Sequence, residues 1–240
     1  MKPNIQLAST TAPDGTAITL FEHDGDYAIQ AGRQQLMNSR QHESELELAR
    51  LGCERIAGHR APHLLIGGLG MGYTLRQALD MLPPKATVTV AELLPEIVRW
   101  NRDLIGHLCD HPLHDSRVKV KTTDIMDLIR RTAEAFDAIL LDIDNGPQAF
   151  TTESNRGLYS PAGIKACMRA MHSKGCLAIW SAFSDKRFEH LLQRLGLHVR
   201  AYPAAASKSS KRFSRCIWVA SRDPHSLPEP HVRPSVERIA

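Results

Sequence analysis

The sequence predicts an α/β fold built on a mostly parallel, seven-stranded sheet that ends in an antiparallel hairpin. First, apolar strand segments and amphipathic helical segments alternate along the chain from His63 onward. Second, strand segments such as 136–141 are apolar apart from a single residue, Asp137, which is typical of parallel strands covered by helices on both faces. Third, the last two strand segments, 197–202 and 216–221, have no helix between them, which predicts an antiparallel pair.

Length and composition indicate an ordinary globular protein. The chain has 240 residues, of which 42% are hydrophobic and 23% charged, and this supports one full core with a small appendage. We expect an N-terminal β-hairpin region over 1–43, the main domain over 44–222 and a proline-rich flexible tail over 223–240. No apolar run reaches the length of a membrane span and no signal segment follows the first residues, so we expect a cytoplasmic protein.

Charge, cysteines and histidines indicate neither a nucleic-acid partner nor a metal site. The net charge of +4 is too small to indicate nucleic-acid binding by itself. The five cysteines are scattered without a Cys-x-x-Cys pair, which fits reduced thiols. His107, His111 and His114 flank Pro112 in a predicted loop, where helical spacing does not align them as ligands, so no metal is expected.

The N-terminal region predicts strands followed by a helix. Short apolar runs over 17–21 and 27–31 flank the turn Asp24-Gly25-Asp26, a pattern typical of a β-hairpin. Residues 34–37 are a candidate for a further strand. Over 44–56, leucine and isoleucine recur among charged residues, which predicts an amphipathic helix.

Strand and helix segments alternate through the main domain. The predicted strands before the final pair cover 64–66, 87–92, 118–120, 136–141 and 176–180. The predicted helices cover 73–81, 95–105, 125–134, 160–175 and 185–195. Such units followed by a hairpin are the arrangement of Rossmann-like class I S-adenosylmethionine-dependent transferases, whereas a nicotinamide-binding fold would continue with another strand–helix unit.

Two charged segments are interpreted as solvated surface. Glu43, Glu45 and Glu47 could present acids to a polyamine, but on an amphipathic helix we favour a solvated face. The basic loop 208–212, together with Arg215, lies between the last two strands and lacks the interleaved aromatic residues of a nucleic-acid site.

A glycine turn after the first strand of the sheet predicts a nucleoside-binding site. Gly68, Gly70 and Gly72 remove the side chains that would keep a ligand away from the main chain. Glu92 ends the next strand, where a carboxylate accepts hydrogen bonds from both ribose hydroxyls. These four residues are therefore predicted to bind a ligand.

Three further acids follow strands of the same sheet. Asp124 follows the third strand, and Asp142 and Asp144 follow the fourth. Because ligands of open α/β sheets bind beyond the carboxyl ends of the strands, we expect these acids to converge with the glycine turn. Asp124 suits a helix N-cap and an adenine contact equally well, and both interpretations stay open. For Asp142 and Asp144 we favour a catalytic pair that deprotonates an amine over a solvated turn.

These residues resemble the spermidine/spermine synthase family of aminopropyltransferases, in particular its shorter bacterial members. The resemblance rests on the glycine turn with its Leu-Arg continuation (66–76), the strand with its ribose-binding acid (90–93), the segment 115–120 and the strand 136–142 that presents the family's catalytic aspartate. The N-terminal β-hairpin is also a trait of that family. Together the resemblance covers about residues 15–220.

The resemblance implies transfer of an aminopropyl group to a small-molecule amine, a polyamine in particular, as a step of polyamine biosynthesis. The co-substrate would be decarboxylated S-adenosylmethionine or S-adenosylmethionine, and no tightly bound cofactor is implied. Glu92 would bind the ribose, Asp124 the adenine, and Asp142 with Asp144 the amine nucleophile. Neither a membrane nor a nucleic acid is expected as a partner, and a homodimer is compatible with the sequence.

Departures from the family pattern keep two alternatives open. Leu69 stands where the family's glycine turn has an aspartate, Asn145 occupies the position of the second acid of the catalytic loop, and no Tyr-His pair occurs near 41–43. Since Leu69 removes a repulsion against a donor carboxylate, a methyltransferase with an unknown acceptor is one alternative. A non-catalytic binding protein that retains the fold is the other, and retention of the three strand-end acids argues against it.

Overall fold

The computed structural model describes residues 3–143, 157–208, 210 and 213–229. The N-terminal part of this described chain forms a separate antiparallel sheet of four strands: β1 (Ile5–Thr11), β2 (Ala17–His23), β3 (Asp26–Ala31) and β4 (Gln34–Asn38). Strands β2 and β3 are the predicted hairpin, and its turn places Gly25 at a φ of 82°. Strand β1 was not predicted, because most of its residues are exposed and show no apolar alternation.

The main sheet has seven strands within the described residues, in the spatial order β10-β11-β9-β8-β5-β6-β7. They are β5 (His63–Gly67), β6 (Thr87–Glu92), β7 (Val118–Thr122), β8 (Phe136–Leu141), β9 (Met171–Ser181), β10 (His198–Ala205) and β11 (Phe213–Ser221). Strands β5 to β9 are parallel, and β11 pairs antiparallel with both β9 and β10. The predicted fold class is confirmed.

Helices cover both faces of this sheet. Those of the described chain are α1 (Glu43–Cys53), α2 (Tyr73–Met81), α3 (Pro95–Asp103), α4 (Ile125–Arg130), α5 (Pro161–Ala170) and α6 (Lys186–Arg194). The first three share one apolar cluster with the N-terminal sheet, and the last three share a second cluster on the opposite face. Within the described residues, no helix combines the length and apolar character needed to cross a membrane.

The chain departs from the predicted boundaries after α5. That helix ends at Ala170 rather than near Gly175, because buried Met171 begins β9 and pairs with Phe136 of β8. The described part of the predicted tail, up to Glu229, packs against the main domain, where Leu227 is buried. The remaining tail residues, 230–240, lie outside the described residues.

Helix α1 packs unusually closely on β8. A Cβ atom built on Gly52 would lie 2.6 Å from Leu140 Cδ1, so a larger residue at this position would push the helix away. The Cys176 thiol of β9 also donates to the Gly52 carbonyl oxygen, at 3.3 Å. These contacts hold α1 across the strand that leads to Asp142.

Candidate active site

The glycine turn and the end of β8 meet where the strand order of the sheet reverses. Strand β8 lies on one side of β5, and β6 lies on the other. Gly68 has a φ of 87°, and a Cβ atom there would lie 2.4 Å from the Asp142 carbonyl oxygen. Glycine is therefore required at this turn, both for its backbone conformation and for the close approach of the two loops.

A cavity of about 260 Å³ opens at this edge of the sheet. The N-terminal sheet supplies apolar side chains to its wall, among them Ile18, Ile29 and Met37. Its lining includes five acids: Asp14, Glu45, Glu92, Asp124 and Asp142. Among the described lining residues there is no lysine, arginine or histidine. Such a cavity favours a cationic ligand with an apolar part.

Glu92 lines this cavity and is held in place by the main chain. Its Oε2 atom accepts a hydrogen bond from the Leu69 amide, and its Oε1 atom accepts one from the Leu94 amide, both at 2.9 Å. The residue is 8% exposed. Since each carboxylate oxygen has a second lone pair, Glu92 retains the capacity to accept hydrogen bonds from a diol.

The position of Asp124 allows both roles left open by the sequence, a helix N-cap and an adenine contact. Its Oδ1 atom accepts a hydrogen bond from the Met126 amide at 2.7 Å, which caps α4, and the residue also lines the cavity. Gly68 and Gly70 line the cavity as well, whereas Gly72 does not. A Cβ atom on Gly72 would instead meet Asn101 Oδ1 at 3.1 Å, so this glycine permits close packing beneath the turn.

Asp142 follows β8 directly and is held by a hydroxyl of α2. The Thr74 hydroxyl donates to Asp142 Oδ2 at 2.6 Å. Burial raises the pKa of Asp142 to about 6, although the hydrogen bond from Thr74 acts in the opposite direction. This carboxyl group therefore changes ionisation close to neutral pH. The second predicted catalytic acid, Asp144, lies outside the described residues.

Glu45 joins this end of the cavity, and the interpretation of it as a solvated residue was wrong. It is 8% exposed, and its Oε2 atom accepts a hydrogen bond from the Ser44 hydroxyl at 2.5 Å. Burial, reinforced by the charge of Asp142, raises the pKa of Glu45 to about 7. A signal was available in the sequence, because Glu45 shares a helix face with Leu48 and Gly52, three and seven positions further along.

No group of three or more histidine, cysteine, aspartate or glutamate residues in the described parts of the chain has the geometry to hold a metal ion.

Residues 55–194, more than half of the chain, match the model of the spermine/spermidine synthase domain. The chain belongs to the spermine/spermidine synthase family. The family consists of aminopropyltransferases of polyamine biosynthesis, which use decarboxylated S-adenosylmethionine as their co-substrate. The predicted family and the predicted class of enzyme, a transferase, are thereby confirmed.

Solved spermidine synthases share the fold. One, in complex with the transition-state analogue AdoDATO, is 17% identical with a TM-score of 0.73. Another, from Thermotoga maritima, is 16% identical with a TM-score of 0.71. Each alignment covers 93% of this chain and 76% of the other chain. A search of curated proteins finds no match.

The structure changes the interpretation of Leu69, one of the departures from the spermidine synthase pattern. The Leu69 side chain is 4% exposed and belongs to the apolar cluster beneath the glycine turn. Leu69 is not among the described residues that line the cavity, although Gly68 and Gly70 on either side of it are. Its side chain therefore contacts the apolar core rather than the cavity.

Proposed function

We propose that this protein transfers an aminopropyl group from decarboxylated S-adenosylmethionine to a small-molecule amine, with a polyamine as the acceptor class. The observation that carries the proposal is the charge of the cavity, which is lined by five acids and, among its described residues, by no basic side chain. Decarboxylated S-adenosylmethionine carries a sulfonium and an ammonium group and no carboxylate. Its charge is complementary to this lining.

In this proposal three of the five acids have a distinct partner on the donor or the acceptor. Glu92 accepts hydrogen bonds from the ribose hydroxyls, and Asp124 contacts the adenine. The main chain at Gly68 and Gly70 approaches the aliphatic part of the donor. Asp142 orients the acceptor amine and takes its proton. The predicted contribution of Asp144, the cytoplasmic location and the homodimer stay predictions.

The reaction is a nucleophilic displacement at a carbon bound to sulfonium. The lone pair of the neutral amine forms the new C–N bond while the C–S bond breaks, and its electron pair leaves on sulfur as the neutral thioether methylthioadenosine. The proton of the amine passes to Asp142, whose pKa of about 6 suits a base near neutral pH. Catalysis then consists mainly of positioning, because the sulfonium leaving group is already activated.

Methyl transfer from S-adenosylmethionine is the second candidate function. It is favoured by one observation, since the described glycine turn over 67–72 carries no acid that would repel the donor carboxylate. The five acids elsewhere in the lining act against it. A carboxylate that enters a cavity without a cation loses its hydration with little compensation.

The test is a transfer assay with each donor and a panel of diamines, read by the nucleoside product. Aminopropyl transfer releases methylthioadenosine, whereas methyl transfer releases S-adenosylhomocysteine. We expect methylthioadenosine from the decarboxylated donor in an amine-dependent reaction. Release of S-adenosylhomocysteine alone would replace this proposal with the second candidate, and no product from either donor would reject both.

A further inference from the structure

Near Asp142 the cavity receives a carboxylate, that of Glu45, from an element other than the strand ends. Gly52 of α1 contacts Leu140 of β8 closely. Glu45 precedes Gly52 by seven residues, or about 10 Å of helix. Asp142 follows Leu140 by two residues, or about 7 Å of strand. Because both residues line the same cavity, the helix and the strand run in opposite directions there and bring the two acids to one end of it.

Thr74 connects the two acids through its hydroxyl. That hydroxyl donates to Asp142 Oδ2 at 2.6 Å and lies 3.4 Å from the Glu45 carbonyl oxygen. Thr74 is itself buried, as is Ser44, whose hydroxyl holds Glu45 Oε2. The positions of both carboxyl groups are therefore set by hydrogen bonds from buried hydroxyls.

The partners of Glu45 leave its charge largely uncompensated. Within the described residues, the side-chain hydrogen bond to Glu45 comes from a neutral hydroxyl, that of Ser44, and no ion pair involves Glu45 or Asp142. Arg215 exerts a favourable charge on Glu45, but its guanidinium group lies over the Trp180 ring, 5.8 Å from the ring centre. A carboxylate that is more than nine-tenths buried and faces a cavity in this state is expected to have a cation as its missing partner.

A second unpartnered group in the same cavity also indicates a ligand. Trp180 lines the cavity and is 8% exposed, and its buried Nε1 atom has no hydrogen-bond partner among the described residues. A buried indole N–H group normally donates a hydrogen bond. The cavity therefore contains a buried donor without a partner as well as a buried carboxylate without a cationic partner.

We propose that Glu45 and Asp142 together form a two-carboxylate site for one alkylammonium group of the substrates. This site rests on the proposed function, which supplies the two ammonium groups that fit it: the terminal ammonium of the donor and an ammonium of the acceptor. Glu45 thereby supplies, from α1, the second acid that Asn145 does not supply from the loop after β8. The geometry assigns Glu45 to the substrate rather than to the fold.

Glu47 provides the matched control on the same helix. Its carboxylate pairs with Arg50 at 2.6 Å on the partly exposed side of α1, and it does not line the cavity. Glu45→Gln and Glu47→Gln remove the same charge from the same helix with nearly the same side-chain volume. Only the first removes it from the proposed site.

The experiment is calorimetric titration of the wild type and both variants in two arms. In the first arm, 1,4-diaminobutane is titrated in the presence of saturating methylthioadenosine, with 1,4-butanediol as the uncharged counterpart. In the second arm, decarboxylated S-adenosylmethionine is titrated alone and compared with methylthioadenosine, which lacks the ammonium group. We expect Glu45→Gln to weaken one of these cation affinities by about 10- to 100-fold and Glu47→Gln to change neither.

The arm that responds identifies which ammonium group binds. Methylthioadenosine affinity and thermal stability report the fold, and we expect Glu45→Gln to retain the affinity and, at neutral pH, to keep or raise the thermal stability, because it removes a buried charge. Unchanged cation affinities in Glu45→Gln, or a wild type that binds neither cation better than its uncharged counterpart, would overturn the site.

Failure of the proposed function would give other results than failure of the Glu45 site. Transfer that proceeds with unaltered kinetics in Glu45→Gln would retain the function and reject the Glu45 site. Glu45-dependent cation binding without transfer from the decarboxylated donor would retain the site and reject the function. A change confined to the KM for the amine or the donor is the kinetic result that the site predicts.

Discussion

Two regions of the cavity hold their carboxylates differently. At the end of β6, Glu92 accepts a hydrogen bond from a main-chain amide on each of its oxygens. At the end of β8 and the start of α1, Asp142 and Glu45 are held by the hydroxyls of Thr74 and Ser44, and burial raises the pKa of both acids to between about 6 and about 7.

The two kinds of hydrogen-bond donor suit these acids to different tasks. Amide donors at both oxygens orient Glu92 and leave lone pairs for ligand hydroxyls, which suits binding. Burial, only partly opposed by their hydroxyl donors, leaves Asp142 and Glu45 close to a change in ionisation, which suits transfer of a proton or binding of an ammonium group.

Asp142→Asn is expected to have the largest effect. We expect the rate of transfer to fall by about 100- to 10,000-fold, because the amide accepts no proton from the amine. Methylthioadenosine affinity is expected to stay within about threefold of the wild type, since this ligand brings no ammonium group to the acid. Steady-state kinetics and calorimetry on one preparation measure both values, and a variant with full turnover would contradict the role of Asp142.

Gly68→Ala tests the contact between the two halves of the site. We expect a loss of about 3 kcal/mol in the free energy of unfolding together with loss of nucleoside binding, because the new methyl group overlaps the Asp142 carbonyl oxygen. Gly196→Ala is the control, since Gly196 has a similar φ of 85° with nothing within 4 Å. It is expected to lose about 1 kcal/mol and to retain binding. Equal losses in denaturant titrations of the two variants would show that the contact is unimportant.

Glu92→Ala tests nucleoside binding and stability separately at the acid that accepts two main-chain amides. We expect methylthioadenosine affinity to fall by at least about 100-fold, because the ribose loses its acceptor. The free energy of unfolding should also fall by about 1 to 3 kcal/mol, because the amides of Leu69 and Leu94 lose their partner. Calorimetry and denaturant titration measure the two effects. A variant that binds the nucleoside normally would place the site elsewhere.

The raised pKa values of Glu45 and Asp142 predict a pH dependence of stability. Burial raises the pKa of Glu45 from an ordinary value of 4.5 to about 7 and that of Asp142 from 3.8 to about 6. The folded state therefore holds protons more tightly than the unfolded state, so this stabilisation is complete below about pH 4 and is lost as the pH rises to about 7.

Glu45→Gln is expected to remove part of this pH dependence of stability. Between pH 4 and pH 7 we expect its free energy of unfolding, relative to that of the wild type, to rise by up to about 3 kcal/mol. Glu47→Gln should show no such change, because Glu47 pairs with Arg50 on the partly exposed side of the helix. A constant difference between Glu45→Gln and the wild type across this pH range would mean that Glu45 is not buried as described.

The sequence predicted the parts of this molecule that depend on local pattern. Uninterrupted apolar strands, helix caps such as Asp124 and Ser160, and the helix-free interval before the last strand identified the sheet and its hairpin. The convergence of Glu92, Asp124 and Asp142 followed from the rule that parallel strands present their carboxyl ends at one edge.

The parts that were missed depend on packing between distant segments. Glu45 was interpreted as surface because neighbouring acids are solvated, whereas the Gly52–Leu140 contact places its face of the helix against the sheet. Leu69 was assigned a role in donor choice from its position in the turn, but its side chain points into the apolar cluster. Sequence spacing places a residue in a loop without deciding which way its side chain faces.

The most direct test of the account is the preference between two donors that differ by one carboxylate. Calorimetric titration of the wild type with decarboxylated S-adenosylmethionine, S-adenosylmethionine and methylthioadenosine measures it. The acidic cavity predicts that the decarboxylated donor binds at least about 10-fold more tightly than S-adenosylmethionine, a difference of about 1.4 kcal/mol. Tighter binding of S-adenosylmethionine, or binding of none of the three ligands, would contradict the account.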